Sequence, residues 1–373
     1  MSIRVLMLST SLNVCGGVSS FVMNYFRSID HNEVHMDFAI WKDIHSPYYK
    51  EIEEAGSQIY VLPPISKVRH HINECKKIIR NGGYDVVHDS TLIISLPIMY
   101  FAKRYNVPVR IFHSHNSKIG ETFVKKIRNG VFLPLLKETA NNFAACSRLA
   151  GTTMFGYNKK FELIPNIILD HNFCFSMEKR RRIREMMSVQ NKVVIGSVGR
   201  LALQKNPLFA LEVIRVLLKK YSSIEYWWIG SGPLDEVFSK RIFDLGLEEK
   251  VKLLGIRNDM SNLYQAMDIL FMPSEFEGNP LAAIEAQAMG LPCVLSNAIT
   301  DEVCFTDLVT FVNLNSGYEI CASVIEEQMS RIVDRRSYQA ELGESLYSGK
   351  NAGSRLYSLY EKMLREKKRM RMA

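Results

Sequence analysis

Short apolar runs alternate with amphipathic segments along almost the whole chain of 373 residues. Runs of this kind predict strands buried on both faces, as in parallel sheets, and the segments between them predict covering helices. In the first half the predicted strands are 4–9, 35–40, 57–61, 85–88, 109–113, 143–146 and 161–164. The main predicted helices of that half are 18–28, 66–81, 92–105 and 121–138. The alternation restarts at 192–199, and further strands are predicted at 225–230, 251–254, 268–272 and 292–295.

This alternation predicts an α/β protein with two doubly wound, Rossmann-like domains that face each other across a cleft. The chain length also suits two domains of ~150–200 residues better than one. We place the domains at 1–170 and 190–350, and expect 351–373 to be a helix that packs back on the first domain. The charged segment 178–185 predicts a solvated helix after the linker. Ligands bind such sheets beyond the carboxyl ends of the strands, so the loops there are the candidate sites.

Composition narrows the class of protein. Hydrophobic residues make up 47% of the chain and charged residues 23%, as in globular proteins. The sequence has no run of ~18 uncharged apolar residues that would predict a spanning helix, and its N-terminus lacks the pattern of a secretory signal. The seven cysteines have no metal or redox spacing, so we expect a reduced, cytoplasmic protein. The nine histidines form no zinc-ligand pair with a third partner, and no metal site is expected.

Basic residues are concentrated in the first half. Residues 1–190 hold 25 Lys and Arg against 16 Asp and Glu, a net charge of +9, whereas 191–373 hold 22 against 23, a net charge of −1. A basic half indicates a polyanion or an anionic membrane surface as a partner. Nucleic acid is not expected, because no stacking or groove-reading motif accompanies the charge.

One predicted helix, 121–138, has both basic and apolar side chains and leaves two interpretations open. It could lie on an anionic bilayer, at the inner face of the cell membrane. Alternatively, its apolar stripe faces the core and its basic face is solvated. The side chains concerned are Phe123, Ile127, Val131 and Phe132 with Lys125, Lys126 and Arg128.

The most informative segment is 272–294, which predicts the end of a buried strand, a loop with a glycine, a helix and the start of another strand. Pro280 suits the first turn of that helix, and Gly290 followed by Pro292 ends it. Glu277 in the loop and Glu285 in the helix lie eight residues apart. Free N–H groups over Gly278, Asn279, Pro280 and Leu281 would face an anionic or hydroxyl-rich ligand between the two acids.

Four other loops carry candidate residues. The first has Gly16 and Gly17 before a helix, which is not the G-x-G-x-x-G of dehydrogenases. Strand 109–113 ends at His113. In the second half, Gly199 precedes Arg200 and Lys205, two cations suited to a diphosphate. Strand 225–230 ends at Gly230, and Gly230 with Gly232 would allow another close approach of the backbone to a ligand. Arg257 follows strand 251–254.

Taken in order, these motifs resemble glycosyltransferase family 4, whose members are retaining enzymes of the GT-B fold. The resemblance covers residues 1 to about 312, and Phe112-His-Ser-His-Asn116 is similar to the variant in capsule and exopolysaccharide enzymes. The resemblance implies that the protein transfers a sugar from a nucleotide-diphosphate sugar, with a UDP-sugar as the first choice. The acceptor would be a saccharide or a polyprenyl-diphosphate-linked saccharide. Residues 1–170 would be the acceptor-side domain and 190–350 the nucleotide-sugar-binding domain.

The resemblance also implies a role for each matching residue. Arg200 and Lys205 would stabilise the leaving diphosphate without a metal or other cofactor. Glu277 would orient donor-sugar hydroxyls, Glu285 would bind the ribose, and His113 would contact the sugar from the other domain. At the end of the preceding strand, many relatives have a second histidine two residues after the position of His88, whereas this chain has Ser90 there, so the acceptor-side contact differs. Two alternatives stay open: another GT-B enzyme, such as a nucleotide-sugar epimerase, and a non-catalytic, membrane-bound assembly subunit.

Overall fold

The computed structural model describes residues 2–14, 16–118 and 123–372, except the side chains of 123–126 and 370–372. The chain divides into two compact units. The first consists of Met1–Ile167 and Gly349–Ala373, and the second of Ile168–Ser348. Each unit is built on one parallel sheet with helices packed on it, as the alternating pattern predicts.

The first unit has a seven-stranded parallel sheet in the order β3-β2-β1-β4-β5-β6-β7. Its strands are β1 (Ile3–Ser9), β2 (Val34–Ile40), β3 (Ile59–Val61), β4 (Val86–Asp89), β5 (Val109–Ser114), β6 (Asn142–Ala145) and β7 (Glu162–Leu163). Its helices before residue 167 are α1 (Gly17–Ser28), α2 (Tyr48–Glu54), α3 (Val68–Gly82), α4 (Leu96–Arg104), α5 (Phe123–Thr139) and α6 (Arg148–Phe155). The central strands are almost wholly buried, because helices cover both faces of the sheet.

The second unit has a six-stranded parallel sheet in the order β10-β9-β8-β11-β12-β13. Its strands are β8 (Val193–Val198), β9 (Ile224–Ile229), β10 (Val251–Gly255), β11 (Ile269–Met272), β12 (Cys293–Ser296) and β13 (Val309–Val312). Its helices are α7 (Met177–Met186), α8 (Pro207–Leu218), α9 (Asp235–Asp244), α10 (Met260–Ala266), α11 (Leu281–Ala288), α12 (Tyr318–Met329) and α13 (Tyr338–Glu344). Strand β13 has no counterpart among the predicted strands, because its four residues form only a short apolar run.

The last helix, α14 (Ala352–Met372), belongs to the first unit. Tyr360 and its apolar neighbours on the helix are buried in the core of that unit. At Gly353 the helix passes α1 so closely that a Cβ would lie 1.8 Å from the carbonyl oxygen of Ser28. Only glycine permits that approach.

Because α14 is part of the first unit, its basic residues add to the charge there. The first unit holds 28 Lys and Arg against 15 Asp and Glu, a net charge of +13. The second unit holds 19 against 24, a net charge of −5. The charge difference between the units is therefore larger than the difference between the two halves of the sequence. In the described part of the chain, no helix combines the length and apolarity needed to cross a membrane.

The segment predicted as a solvated helix after the linker is the helix α7, and most of its residues are exposed as predicted, but one face of the helix packs within the second unit. Arg180 and Arg184 reach Asp268, at 2.5 Å and 3.0 Å, and also donate to backbone carbonyls of the segment 265–267. Arg184 is buried as a result. Residues 168–189 accordingly belong to the second unit. The sequence analysis had left 171–189 between the two predicted domains.

The predicted helix 92–105 is interrupted near its start. Leu92–Ser95 form a 3₁₀ turn, and α4 begins only at Leu96. The carboxylate of Asp89 holds the turn by accepting from Thr91 N–H at 2.9 Å and from the hydroxyl of Ser95 at 2.5 Å. Leu92 takes a positive φ of 71°, an uncommon conformation for this residue type. Side-chain hydrogen bonds thus override the helical pattern.

Candidate functional site

The candidate residues of the second unit lie in loops that leave one edge of its sheet. Strands β8, β9, β10 and β11 are parallel, so the loops that follow them start at the same side. These loops, together with the start of α11, contain all the residues that the sequence analysis selected after 190. The carboxyl edge of the sheet is where ligands bind in doubly wound folds.

Two of these loops touch backbone to backbone because they contain glycines. Gly199 and Gly230 have φ values of 149° and 132°, which favour glycine. A Cβ on Gly230 would lie 2.1 Å from the carbonyl oxygen of Gly199. That oxygen also accepts a hydrogen bond from the indole N–H of Trp228 at 3.0 Å. The glycines therefore hold the loop after β8 against the loop after β9.

The loop after β8 also meets the loop before α11. The ammonium group of Lys205 lies 2.5 Å from a carboxylate oxygen of Glu277. The side chain of Gln204 donates to the carbonyl oxygen of Phe276 at 3.0 Å, and the amide of Glu275 donates to the carbonyl oxygen of Gln204 at 2.8 Å. Glu277 is only 7% exposed, so Lys205 compensates a nearly buried charge. Two predicted site residues are thus in direct contact.

Arg200 lies in the same loop but at its surface. The side chain is exposed, and its Cγ would be 2.9 Å from a Cβ placed on Gly232. The same Cβ would approach the carbonyl oxygen of Leu201 to 2.4 Å, so Gly232 also marks a close approach. The two predicted cations therefore differ in exposure: Lys205 is mostly buried beside Glu277, whereas Arg200 is exposed.

Glu285, the second predicted acid, is on α11 and contacts a tyrosine instead of a cation. The hydroxyl of Tyr264 donates to its carboxylate at 2.9 Å. Glu285 retains some exposed surface, yet protein atoms surround its carboxyl group closely. Burial raises its pKa to about 7, and the hydrogen bond from Tyr264 acts in the opposite direction. Near neutral pH this group can therefore accept or donate a hydrogen bond.

Helix α11 begins one residue later than the sequence suggests. Pro280 precedes the helix as its N-cap, with φ −73° and ψ 113°, and Leu281 is the first helical residue. The carbonyl of Pro280 accepts from Ala283 N–H at 3.1 Å. Gly278, Asn279 and Pro280 are buried, and the side chain of Asn279 lies 3.4 Å from a tyrosine hydroxyl. The N–H groups of a first helical turn remain suited to an anionic ligand at this place.

Arg257 follows β10 and is paired within its own loop. Its guanidinium donates two hydrogen bonds to Asp259, at 2.8 Å and 2.7 Å. The hydrogen bond to Asp259 raises the pKa of Arg257. The two hydrogen bonds hold the planar guanidinium in a fixed orientation. Asp259 was not among the predicted residues, although its spacing of two from Arg257 is a visible signal.

In the first unit, Gly16 and Gly17 stand at the start of α1. Gly16 is the N-cap in an extended conformation, with φ −95°, and its N–H bonds to the carbonyl of Asn13 at 3.0 Å. A Cβ on Gly17 would meet no atom within 4 Å. Neither glycine is required by a positive φ. Open space beside the backbone is consistent with an approaching ligand.

His113 belongs to a buried group of three histidines, which we call the histidine cluster: His88, His113 and His115. His88 is on β4, and the other two are at the end of the adjacent β5. The Nε2 atom of His88 lies 3.0 Å from the Nδ1 atom of His113. The rings of His113 and His115 pack with their centroids 4.0 Å apart. The ring of Phe21 lies edge-on to His113 at 4.9 Å.

Burial keeps the histidine cluster neutral. It lowers the pKa values of His88 and His115 to about 3 and that of His113 well below its ordinary value. His113 is 1% exposed, so this residue at the end of a strand is buried within the first unit. The Nε2 atoms of His113 and His115 are buried and form no hydrogen bond within the described residues. Each therefore has one capacity left for a ligand.

Sequence analysis also missed partners of the two other site residues. His88 hydrogen-bonds to His113 and Tyr264 to Glu285, and Tyr360 of α14 in turn lies 2.7 Å from His88. The sequence did contain a signal for His88, because it ends the strand before that of His113. It contained none for the two tyrosines, whose partners lie on other elements.

The chemistry available differs between the two units. The second unit offers a lysine, an exposed arginine and two carboxyl groups around glycine loops, a set suited to a phosphate and to hydroxyl groups. The first unit offers neutral imidazoles. Over residues 2–14, 16–118 and 123–372, no three histidine, cysteine or acidic side chains are grouped as metal ligands.

Comparison with known proteins relates this chain to glycosyltransferases. Residues 179–311 match the family described as glycosyl transferases group 1. EpsF of Bacillus subtilis, which is named a putative glycosyltransferase, is 30% identical over 336 residues, which cover 86% of each chain. The UDP-Gal:alpha-D-GlcNAc-diphosphoundecaprenol alpha-1,3-galactosyltransferase of Escherichia coli is 27% identical over 59% of this chain and 60% of its own. Other matching relatives are named for capsular or Vi polysaccharide biosynthesis.

The fold has close structural relatives as well. The crystal structure of HepE from Anabaena in complex with UDP-glucose matches with a TM-score of 0.78 and 17% identity, over 96% of this chain and 100% of that chain. At this identity the likeness concerns the fold alone. The prediction of two Rossmann-like α/β domains of the GT-B type is confirmed.

Proposed function

The chain belongs to the glycosyl transferases group 1 family, and we propose that it is a retaining enzyme of glycosyltransferase family 4. It moves a sugar from a UDP-sugar to a saccharide or a polyprenyl-diphosphate-linked acceptor in capsule or exopolysaccharide synthesis. The observation that carries this proposal is the contact of Lys205 with Glu277 beside the glycine loops. The donor and the lipid carrier in the name of the Escherichia coli relative support the choice of substrates.

Lys205 and Arg200 stabilise the leaving diphosphate in this proposal. An ammonium group has three N–H donors, so Lys205 can stay bonded to Glu277 while it donates to a phosphate oxygen. Arg200, at the loop surface, closes on the diphosphate from the other side. Charge that develops on the leaving group is best stabilised by donors held in place beforehand. These cations make a divalent metal unnecessary.

Glu277 and Glu285 bind different parts of the donor. Glu277, held by Lys205, accepts hydrogen bonds from hydroxyls of the transferred sugar. Glu285, held by Tyr264 on α11, binds the ribose, for which a carboxyl group with a pKa of about 7 has both donor and acceptor capacity. Gly230, Gly232 and the Arg257 loop accommodate the nucleotide, and Gly16 and Gly17 lie near the diphosphate and the acceptor. His113 contacts the donor sugar.

The reaction proceeds with retention and without an enzyme nucleophile. The bond between the anomeric carbon and the diphosphate oxygen breaks, and the acceptor hydroxyl bonds to that carbon from the same face. The proton of the hydroxyl passes to the leaving diphosphate. Membership of a transferase family, and the transferase names of its relatives, favour this reaction over an epimerase or a non-catalytic subunit.

We also propose that the first unit lies on the inner face of the cell membrane. Its net charge of +13 favours an anionic surface. On α5 the side chains of Ile127, Val131 and Phe132 are 56%, 60% and 40% exposed, while Leu133 and Leu136 face the core. The alternative that Ile127, Val131 and Phe132 face the core is therefore wrong. The side chains of Phe123, Lys125 and Lys126 lie outside the part of the chain that the structure describes.

A product assay tests the proposed reaction. The protein is incubated with UDP-, GDP- or ADP-sugars and with polyprenyl-diphosphate-linked saccharides, with and without EDTA, and the product anomer is determined by NMR. We expect transfer from a UDP-sugar, an unchanged anomeric configuration and no effect of EDTA. An inverted anomer would exclude retention, and activity lost to EDTA and restored by manganese would exclude metal-free catalysis. A changed donor sugar without acceptor would identify an epimerase.

A further inference from the structure

A chain of hydrogen bonds connects the C-terminal helix to His113 inside the first unit. The hydroxyl of Tyr360 lies 2.7 Å from the Nδ1 atom of His88, and the Nε2 atom of His88 lies 3.0 Å from the Nδ1 atom of His113. All three side chains are at most 1% exposed. The chain ends at the Nε2 atom of His113, which is buried and has no hydrogen-bond partner in the described residues.

The protons of this chain can be arranged in only two ways. A neutral imidazole carries one N–H, and burial holds both histidines in the neutral form. In the outward arrangement, Tyr360 donates to His88, His88 donates from Nε2 to His113, and the proton of His113 is on its Nε2. In the inward arrangement, His113 donates from Nδ1 to His88, His88 donates from Nδ1 to Tyr360, and the Nε2 atom of His113 carries no proton.

The environment of Tyr360 favours the outward arrangement. Among the described residues, His88 is the hydrogen-bond partner of the Tyr360 hydroxyl. In the inward arrangement this hydroxyl would only accept, and its own hydrogen would be buried without an acceptor. A buried donor left without an acceptor carries its full desolvation cost.

We propose that Tyr360 and His88 are positioning residues that fix His113 as the Nε2–H tautomer, so that it presents a hydrogen-bond donor to a sugar hydroxyl oxygen. This inference rests on the proposed contact of His113 with the donor sugar. Phe21 and His115 pack against the ring of His113, at centroid distances of 4.9 Å and 4.0 Å, and resist its rotation. The C-terminal helix thus sets the polarity of a ligand-facing group.

The chemical consequence concerns the ligand group that His113 recognises. An Nε2–H requires an acceptor, so the hydroxyl that it meets must use an oxygen lone pair and donate its own hydrogen elsewhere. A donor analogue that lacks that hydroxyl loses this bond. A bare Nε2 would instead favour a ligand that donates. The tautomer is therefore a determinant of how the sugar is oriented.

Nitrogen-15 NMR of the full-length protein, with labelled histidines, tests the tautomer directly. Ring nitrogens with and without a proton have well separated shifts. We expect both His88 and His113 to carry the proton on Nε2 in the wild type, and we expect Tyr360→Phe to produce a mixture of tautomers at His113. A proton on Nδ1 of His113 in the wild type would overturn the inference. So would an unchanged spectrum of His113 in Tyr360→Phe.

Kinetics then separate positioning from stability. Tyr360→Phe should lower kcat about tenfold and leave the inhibition constant of UDP unchanged. Tyr25→Phe is the matched control, because it also removes a buried tyrosine hydrogen bond of the first unit, to the carbonyl of Pro165 at 3.0 Å. It should lower the melting temperature similarly and leave kcat within about twofold. Equal kcat in the two variants would reject the positioning role.

A second substitution covers the case in which Tyr360→Phe does not fold. Glutamine at position 88 offers one acceptor and one donor, as the imidazole does, whereas methionine offers no donor. His88→Gln should keep the Nε2–H tautomer of His113 and most of the activity, and His88→Met should lose both. If the wild type transfers no sugar at all, the proposed function fails. The NMR result would then decide by itself whether the hydrogen-bond chain fixes His113.

Discussion

Lys205 and Glu277 form an ion pair at 2.5 Å between two loops that are 72 residues apart in sequence. Glu277 is nearly buried and Lys205 only slightly exposed, so each holds the other in one orientation. In the proposed reaction the pair is therefore a prepared site for the diphosphate and the sugar, and the cost of ordering the lysine is met during folding.

We expect Arg200→Ala and Lys205→Met each to lower kcat about 100-fold or more. One prepared donor to a developing anion contributes roughly 3–4 kcal/mol to the transition state. Only Lys205→Met should also lower stability, because it leaves Glu277 buried without its partner. Steady-state kinetics and thermal melts measure the two effects.

A matched control for these two cations is Lys240→Ala, which breaks the exposed ion pair with Asp244 on α9. Its activity should equal that of the wild type, since exposed pairs contribute about 1 kcal/mol or less to stability and this one is outside the candidate loops. Turnover of Arg200→Ala within a factor of three of the wild type would remove Arg200 from the site.

The two acids should affect different kinetic constants. Glu277 holds the sugar whose anomeric carbon becomes cationic, so Glu277→Gln should mainly lower kcat. Glu285 binds the ribose equally in the ground state and the transition state, so Glu285→Gln should mainly raise KM for the donor. Initial rates at varied donor concentration separate these effects. The reverse partition would refute the assignment of roles, and full activity of both variants would refute the donor site itself.

The raised pKa of Glu285 makes stability depend on pH. The folded protein retains this proton up to a pKa of about 7, above the ordinary value of 4.5. The contribution of this protonated carboxyl group to the free energy of unfolding is therefore complete below about pH 4.5, and it is lost as pH rises through 7. It amounts to roughly 3 kcal/mol or less.

Glu285→Gln, which cannot ionise, should therefore gain stability relative to the wild type between pH 5 and pH 8. Melting temperatures of both proteins across this range test the expectation. In Tyr264→Phe the carboxylate of Glu285 loses its hydrogen bond, so the pKa of Glu285 should rise further. The loss of stability with rising pH should then extend to higher pH than in the wild type. A difference between Glu285→Gln and the wild type that does not change with pH would contradict the raised pKa.

Membrane binding should depend on the exposed face of α5. Double substitution Ile127→Ser/Val131→Ser should weaken binding to anionic vesicles about tenfold, because two apolar side chains no longer leave water. Salt at 0.5 M should weaken binding of the wild type too, since the surface attraction is screened. Vesicle sedimentation measures both.

Ile332→Ser is the control for this experiment. Ile332 is 99% exposed but belongs to the second unit, whose net charge is −5. This variant should bind vesicles as the wild type does. Equal binding to neutral and anionic vesicles, or equal loss in Ile332→Ser, would reject the first unit as the membrane surface.

Much of the fold and part of the candidate site could be predicted without coordinates. Strand and helix patterns depend on local burial, which repeats with a fixed period, and parallel strands bring the loops at their carboxyl ends to one edge. The segment 272–294 therefore indicated a loop and a helix with Glu277 and Glu285, and the structure differs from it by one residue at Pro280. The two glycine loops were equally visible, because a close approach of backbones restricts the residue type.

Only the tertiary structure decided which partners these residues have. Periodicity reports that a side chain is buried, but not what it touches, so it left the direction of the apolar side chains on α5 open and did not indicate which face of α7 packs. The contact between Tyr360 and His88 joins positions 272 residues apart, and nothing local in either segment indicates it. Partner identity depends on how whole helices pack on a sheet, which is a property of the assembled core. The sequence predicted the architecture, the candidate acids and cations and their order, whereas their partners and their burial depend on how the helices pack on the sheets.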